Sequence, residues 1–421
     1  MNSLEALTAF ARAKLRARSP RWLSAAGGTP PDPSAPVISP ADYRTDFAAW
    51  NTLGLDLPQA RELARREAAG EPTGHAVSFG LSTGTLGTPG VFIASQRDRA
   101  RWLGTFLARV LTTGELVDFV RAGRVAVLLR HDSRLYHQTQ RRTAFFPLGR
   151  GEEAIAAGLA AFRPNIIVGP PFALRRIVES ATFARAPWQV RLVVAGGEPL
   201  WPEDAAVLRA RLGAPVRQVY QAAEGFFGAS CAHGRLHLNV DIVQFERASF
   251  VAAPDRFIPI VTDMTRHGPQ RLLRYRTDDI AMESDGPCPC GSALPAIAAI
   301  EGRLSDVLLA PSGRLLFPRA VHQEIAPALD GAPFRLVQTD AARMTLHLPE
   351  HLAADNVRRA VEAAKSCCEC DVTTVPLVLP PLDDKFRRFE RRIPLGDDVL
   401  AQRLCAPTTL STSARNAARG R

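Results

Sequence analysis

The sequence predicts an α/β protein, with a large N-terminal domain of layered sheets and helices and a small, mobile α+β domain behind it. Three observations carry that expectation. The chain has 421 residues, more than one hydrophobic core usually organises, so a large unit plus a smaller one is expected. From about residue 95 to 300, short apolar runs alternate with helical spacing, the pattern of strands layered against helices. After Gly302 the texture shifts to a compact α+β pattern. The boundaries so drawn are 1–301 and 302–405, and the tail 406–421 lacks apolar periodicity and is expected to be disordered.

Taken in order, the first 75 residues show helical spacing, with Leu4, Leu7, Phe10, Phe47, Trp50 and Leu53 as candidate buried positions. The Pro/Gly/Ser-rich stretch Gly27 to Pro40 reads as a loop. Ser95-Gln-Arg-Asp98 reads as a helix start ahead of Trp102, Leu103, Phe106 and Val110. Arg124–Arg130, Asn165–Val168, Val190–Ala195 and Pro215–Tyr220 read as buried strands. Between the last two, Pro202 to Leu212 is helical and Gly213 its stop. In the smaller unit, Phe334 to Leu348 predicts a hairpin, Ala353 to Lys365 a helix and Val372 to Leu379 a strand.

Composition narrows the class. Hydrophobic residues make up 46% and charged residues 22%, ordinary values for a globular chain. There is no apolar run of about 18 residues, so no membrane partner is expected. The N-terminus lacks the pattern of a signal peptide, which points to the cytoplasm. A formal net charge of +10 raises the question of nucleic acid, yet only three of the 52 basic residues are lysine (Lys14, Lys365 and Lys385). Arginine replaces lysine throughout and forms no dense run among aromatics, so no nucleic-acid partner is expected. Basic charge still favours polyanions such as ATP, CoA or an acidic carrier protein. The seven cysteines are odd in number and clustered, which argues against a disulfide framework.

Phe79-Gly-Leu-Ser-Thr-Gly-Thr-Leu-Gly-Thr-Pro-Gly90 packs glycine and hydroxyl residues densely. Glycines admit a phosphate close to the backbone, and amides and hydroxyls supply donors. On its own it could equally be a surface turn. Beyond it follow Ala195-Gly-Gly-Glu-Pro-Leu200, Tyr220-Gln-Ala-Ala-Glu-Gly225, Arg274-Tyr-Arg-Thr-Asp-Asp279 and Gly302-Arg-Leu-Ser-Asp306.

In this order and at these distances, the segments resemble the motif series of the acyl-CoA synthetase, adenylation-domain and luciferase superfamily, over roughly residues 75 to 390. Val219–Phe226, Gly234-Arg-Leu-His-Leu-Asn239 and Cys288-Pro-Cys-Gly291 bring it nearest to the phenylacetate-CoA ligase branch and the coenzyme F synthetase-like adenylate-forming enzymes. The resemblance implies that Ser82, Thr83, Gly84 and Thr85 cradle the ATP β- and γ-phosphates. Gly196, Gly197 and Glu198 line the adenine, and Tyr220 stacks on it. Glu224 holds Mg²⁺, a hard cation suited to carboxylate and phosphate oxygens. Asp279 accepts the ribose hydroxyls, and Arg303 sits at the hinge within reach of ribose or phosphate. Lys385, in Leu382-Asp-Asp-Lys-Phe-Arg-Arg388, takes the place of the catalytic lysine, neutralising charge between carboxylate and α-phosphate. Two departures stand out: the phosphate loop has no lysine beside Pro89-Gly90, and Asp278 replaces the glycine of the usual Thr-Gly-Asp.

Cys288-Pro-Cys290 could be one half of a metal knuckle. With Cys231 and His237 it offers three thiolates and an imidazole, a set suited to a closed tetrahedral Zn²⁺ site. Proteins similar to phenylacetate-CoA ligase show the same arrangement. His233 is the alternative imidazole, and buried free cysteines with a hydrogen-bonded His237 are the competing reading.

The implied reaction is ATP-dependent adenylation of an aryl or other small organic acid, releasing pyrophosphate. The acyl group then passes to CoA, an acyl or peptidyl carrier protein, or an amine, after rotation of the small domain about Gly302 to Ser305. Adenylylation of a deazaflavin phenolic hydroxyl and a non-catalytic nucleotide-binding role are the alternatives, and dimers are common in the branch. Acid-pocket residues are expected between about 130 and 175, where His131 and His137 are the imidazoles.

Overall fold

A computed structural model describes residues 3–19, 32, 34–81, 90–131, 142–183, 188–263 and 268–410. These residues form one 13-stranded sheet, a four-stranded sheet and two hairpins.

One half of the large sheet is parallel: Thr143–Pro147, Val125–Leu129, Ile166–Gly169, Leu192–Ala195 and Val216–Ala222 lie side by side in that order. The last four are the apolar runs that the sequence marks as buried, because parallel strands need both faces covered; the edge strand Thr143–Pro147 is not among those runs. On one face, Ala126, Leu128, Ile167, Val193 and Ala195 join a core with Ile155 and Leu159 of the helix Glu152–Phe162 and Ile177 of the helix Pro171–Glu179. On the other, Leu192, Val194 and Val219 face Phe106 and Val110 of the helix Gln96–Val110. That helix opens on a reciprocal capping box between Ser95 and Asp98. Pro202–Leu212 ends at Gly213 with φ 61°, the left-handed geometry that glycine reaches freely.

Beyond Val216–Ala222 the sheet turns antiparallel, through Gly225–Ser230, Leu236–Leu238, Ala296–Arg303, Asp279–Glu283, Ala253–Asp263 and Val243–Phe250. The edge strand Val243–Phe250 is covered by Thr408–Thr409. Residues 406–410 therefore correct the expectation of a disordered tail at that point. An edge strand presents unpaired backbone groups whatever the incoming side chains, and Cys405 and Leu410 donate their N–H groups to the Ser249 and Phe245 carbonyls at 2.8 and 2.9 Å. Residues 411–421 lie outside the described residues.

A second correction falls on the first helix, Ser3–Arg18. Leu4 and Leu7 are 74% and 65% exposed. The helix meets Gln96–Val110 at Gly104, where a Cβ would lie 2.1 Å from the Ala6 carbonyl oxygen and 3.0 Å from the Ala9 Cβ. So close an approach admits only small residues, and the leucines face away.

The smaller sheet orders Asp371–Pro376, Arg343–Leu348, Arg335–Gln338 and Phe389–Arg391. Helices Pro318–Ile325 and Ala354–Cys368 cover it around Phe334, Leu336, Leu346 and Phe389. Trp201, from the larger part, packs into the same core. No described helix is long and apolar enough to cross a membrane.

Candidate functional site

Strand ends deliver the site, as open α/β sheets tend to do. Leu192–Ala195 runs out into Gly196, Gly197 and Glu198, with Gly197 at φ 80°. Val216–Ala222 carries Tyr220, and the turn after it carries Glu224. Asp279 starts one strand and Arg303 ends its antiparallel neighbour, so the register places the two opposite each other. Lys385 comes from the far side, on the segment leading into Phe389–Arg391. All of these residues line one cavity of about 830 Å³.

Within it, Tyr220 donates its hydroxyl to Asp279 Oδ2 at 2.8 Å, and Arg303 Nε lies 3.3 Å from Asp279 Oδ1. Tyr275 donates its hydroxyl to Glu224 Oε1 at 2.7 Å. Burial raises the Asp279 carboxyl above its usual range, against the charge of Arg303 and the Tyr220 hydroxyl. Burial and the facing carboxylates hold the Tyr220 and Tyr275 phenols protonated. The Arg303 guanidinium is pushed up by Asp279 and Glu224, which overcome its own desolvation.

Arg130, just past the strand Val125–Leu129, ties the two sides of the cavity together. It donates to Glu198 Oε1 at 2.7 Å and to the carbonyls of Asp383 and Asp384 at 2.6 and 2.8 Å. Burial raises the Glu198 carboxyl in spite of Arg130 and Lys385 nearby. Lys385 is driven down to about 8, first by burial and then by the positive Arg303, with Glu198 and Asp279 opposing. A lysine so placed brings a desolvated cation to the cavity wall.

No family model matches the sequence, and no curated protein matches it. Among solved structures, the chain is similar to 2-hydroxyisobutyryl-CoA ligase in the postadenylation state with 2-HIB-AMP. That match has a TM-score of 0.61 and 18% identity and covers 94% of this chain and 90% of that one. The same ligase with R3-HIB-AMP gives 0.59 at 18% identity and the same coverage. An anthranilate CoA ligase in complex with anthranoyl-AMP gives 0.52 at 13% identity, over 73% of this chain and 66% of that one. The chain has the fold of the adenylate-forming enzymes.

In this adenylate-forming fold, Ser82, Thr83, Gly84 and Thr85 lie outside the described residues, as does His137. Leu81 and Gly90, on either side of the loop, both line the cavity, and so does His131, whose imidazole burial lowers. Asp278 adopts φ 58° and accepts a 2.6 Å bond from Arg276 Nε. Its backbone is thus left-handed, and aspartate is among the few side chains that tolerate this region.

The knuckle residues meet outside the cavity lining. One ligand atom from each of Cys231, His237, Cys288 and Cys290 lies within 4.8 Å of the others. Cys231 Sγ is 3.6 Å from Cys288 Sγ, and Cys290 Sγ is 3.3 Å from His237 Nε2. His237 Nδ1 lies 2.9 Å from the Leu294 carbonyl, which points Nε2 at the sulfurs. His233 is not part of this group.

Three contributors escaped sequence reasoning. Arg130 lies in a segment with no alignable motif. Tyr275 stands inside Arg274–Asp279, but nothing in the spacing tells which ring faces Glu224. Arg388 joins Asp204 through two contacts of 3.1 and 3.0 Å, which requires both sheets to be in place.

Proposed function

We propose that this protein activates a carboxylic acid with ATP to form an acyl-AMP, and then passes the acyl group to CoA, a carrier-protein thiol or an amine. The observation that carries the reading is the convergence of Lys385, Glu224, Asp279, Arg303 and Tyr220 on one cavity in this fold. The branch proposed is the phenylacetate-CoA ligase one, on the motifs quoted above.

A carboxylate oxygen attacks the α-phosphorus, a new P–O bond forms, and the bond to the β-phosphate oxygen breaks to release pyrophosphate. Two anions must meet for this, so alignment and charge neutralisation do the work. Lys385 lies between the Glu198 and Asp279 sides and supplies the positive charge for the forming bond. Asp279 takes the ribose hydroxyls, and Arg303, opposite it, reaches the ribose or phosphate. Gly196, Gly197 and Tyr220 shape the adenine wall, whereas Glu198 is held by Arg130. Glu224 fits Mg²⁺, a hard cation suited to carboxylate oxygens, and the Tyr275 hydroxyl fixes the orientation of its carboxylate. When bound, the ion draws charge from the phosphates. Ser82, Thr83, Gly84 and Thr85 complete the phosphate site in this reading.

Cys231, His237, Cys288 and Cys290 fit a structural Zn²⁺. The 3.6 Å between Cys231 and Cys288 Sγ is close to the edge of a tetrahedron with arms of about 2.3 Å, roughly 3.8 Å.

Exchange of labelled pyrophosphate into ATP, across aryl, fatty and amino acids, tests the reading. Exchange with one acid class, reduced at least 100-fold in Lys385→Ala and Glu224→Ala, is the expected outcome. Absence of exchange with every acid, alongside measurable ATP binding, transfers the case to hydroxyl adenylylation or a non-catalytic role.

A further inference from the structure

The phosphate loop of this chain carries no lysine next to Pro89-Gly90, so the nucleotide's polyphosphate lacks its expected cation. The short helix Pro40–Thr45 brings another, Arg44, to the cavity. Its cap is fixed by a reciprocal capping box between Ser39 and Asp42, and Tyr43 is its buried anchor.

Two sets of contacts locate that anchor. Gln270, fully buried, donates from Nε2 to the Tyr43 hydroxyl at 2.6 Å and to the Val91 carbonyl at 3.3 Å, and its Oε1 accepts from Ile93 N–H at 2.8 Å. Val91 and Ile93 belong to the strand Val91–Ala94, which pairs with Ser78–Leu81 as the stem of the phosphate loop. The helix is thus bolted to that stem. The Tyr43 ring also lies 5.2 Å from Tyr275, edge to face, and Tyr275 holds Glu224. Tyr43 therefore sits between the loop stem and the acid proposed for Mg²⁺.

Arg44 is the next residue. Its side chain lines the cavity with Leu81, Gly90 and Asp278. It is half-buried and makes no hydrogen bond or ion pair with any described residue. Neighbouring cations are engaged: Arg276 by Asp278, Arg303 by Asp279 and Arg387 by Asp306. The positive charge of Arg44 reaches Asp278, helping to counter the burial that raises that carboxyl.

We propose that Arg44 binds the β- and γ-phosphates of the nucleotide, supplying from the N-terminal region the charge that the loop lacks. The proposal rests on the ATP-dependent reading above. A guanidinium offers a planar fork of donors matched to phosphate oxygens and keeps its charge at any working pH. Because its helix is tied through Tyr43 and Gln270 to the strand that follows the loop, its contribution is assigned to the polyphosphate.

Calorimetric binding of ATP and of AMP, with Mg²⁺ present, to wild type, Arg44→Gln and Arg44→Lys tests it. The expected result is at least tenfold weaker ATP binding in Arg44→Gln, AMP binding changed less than twofold, and Arg44→Lys in between. Unchanged ATP binding overturns the proposal, and so does an equal loss for ATP and AMP, which is what a merely structural role produces. A wild-type protein that binds neither nucleotide overturns the functional reading, and this proposal with it. Wild-type binding matched by Arg44→Gln overturns this proposal alone.

Discussion

Lys385 is one of three lysines in a chain that uses arginine almost everywhere else, and its burial explains what lysine can do here that arginine cannot. A desolvated ammonium shifts its proton affinity readily, whereas a guanidinium stays charged. With a value near 8, Lys385 is protonated below that pH and neutral above it. The proposed step needs the charged form. Pyrophosphate exchange at low ATP, which reports the free enzyme, should therefore fall as pH rises through about 8, approaching tenfold per further unit. Lys385→Ala should abolish that limb, and a profile still flat to pH 10 in wild type would dismiss the role. Asp278 shows the complementary case. The position calls for left-handed backbone, which glycine supplies without strain, and aspartate meets it by bonding Arg276.

At the scale of elements, four of the five parallel strands were legible because continuous apolar runs leave few other options, whereas Thr143–Pro147, mostly half-buried at the edge, was not. Ser95 and Gly213 marked helix ends through side-chain capping and a left-handed residue, both local effects. The face of Ser3–Arg18 was not legible. Its leucines outrank its alanines in hydrophobicity, yet Gly104 on the partner helix selects the small face. The segment from Lys385 to Arg388 is similar: its role depends on where it docks. Asp204, fully buried, accepts from Arg175 at 3.0 Å and from Arg388, and Phe386 stacks on Phe172 with centroids 4.1 Å apart. Asp204→Asn takes from two buried guanidiniums the carboxylate they share, leaving Arg175 with Glu179 at 3.3 Å and Arg388 with Glu203 at 3.0 Å, a loss on the order of 3 kcal/mol. Because that docking holds Lys385 in the cavity, exchange should drop at least tenfold. Acyl transfer from supplied acyl-AMP should change much less, and an equal loss in both assays would argue for general unfolding instead.

Across the whole molecule, arginine serves as internal mortar. Arg109 pairs with Asp241 at 2.6 Å and Arg274 with Glu246 at 2.8 Å, all four side chains nearly buried. The cysteine knuckle reaches equally far, since Ala293 N–H and the Ser292 hydroxyl donate to the Ala17 carbonyl at 2.7 and 3.2 Å and so anchor the first helix. Purified protein should carry about one zinc per chain by elemental analysis. Its removal, or Cys231→Ser, should lower the thermal unfolding midpoint by several degrees, as loss of a structural metal does; metal-free protein with an unchanged midpoint would refute the site. The sequence by itself determined the α/β class, the order of the strands' apolar runs, the helix caps and the identity of the motif residues, since periodicity, capping and glycine's conformational range act within a few neighbours. Only the tertiary structure decided that Arg130 holds Glu198, that Tyr275 holds Glu224 and that Arg388 holds Asp204. Those pairings join residues tens to hundreds of positions apart, and only the packing of sheets and helices brings them within bonding distance.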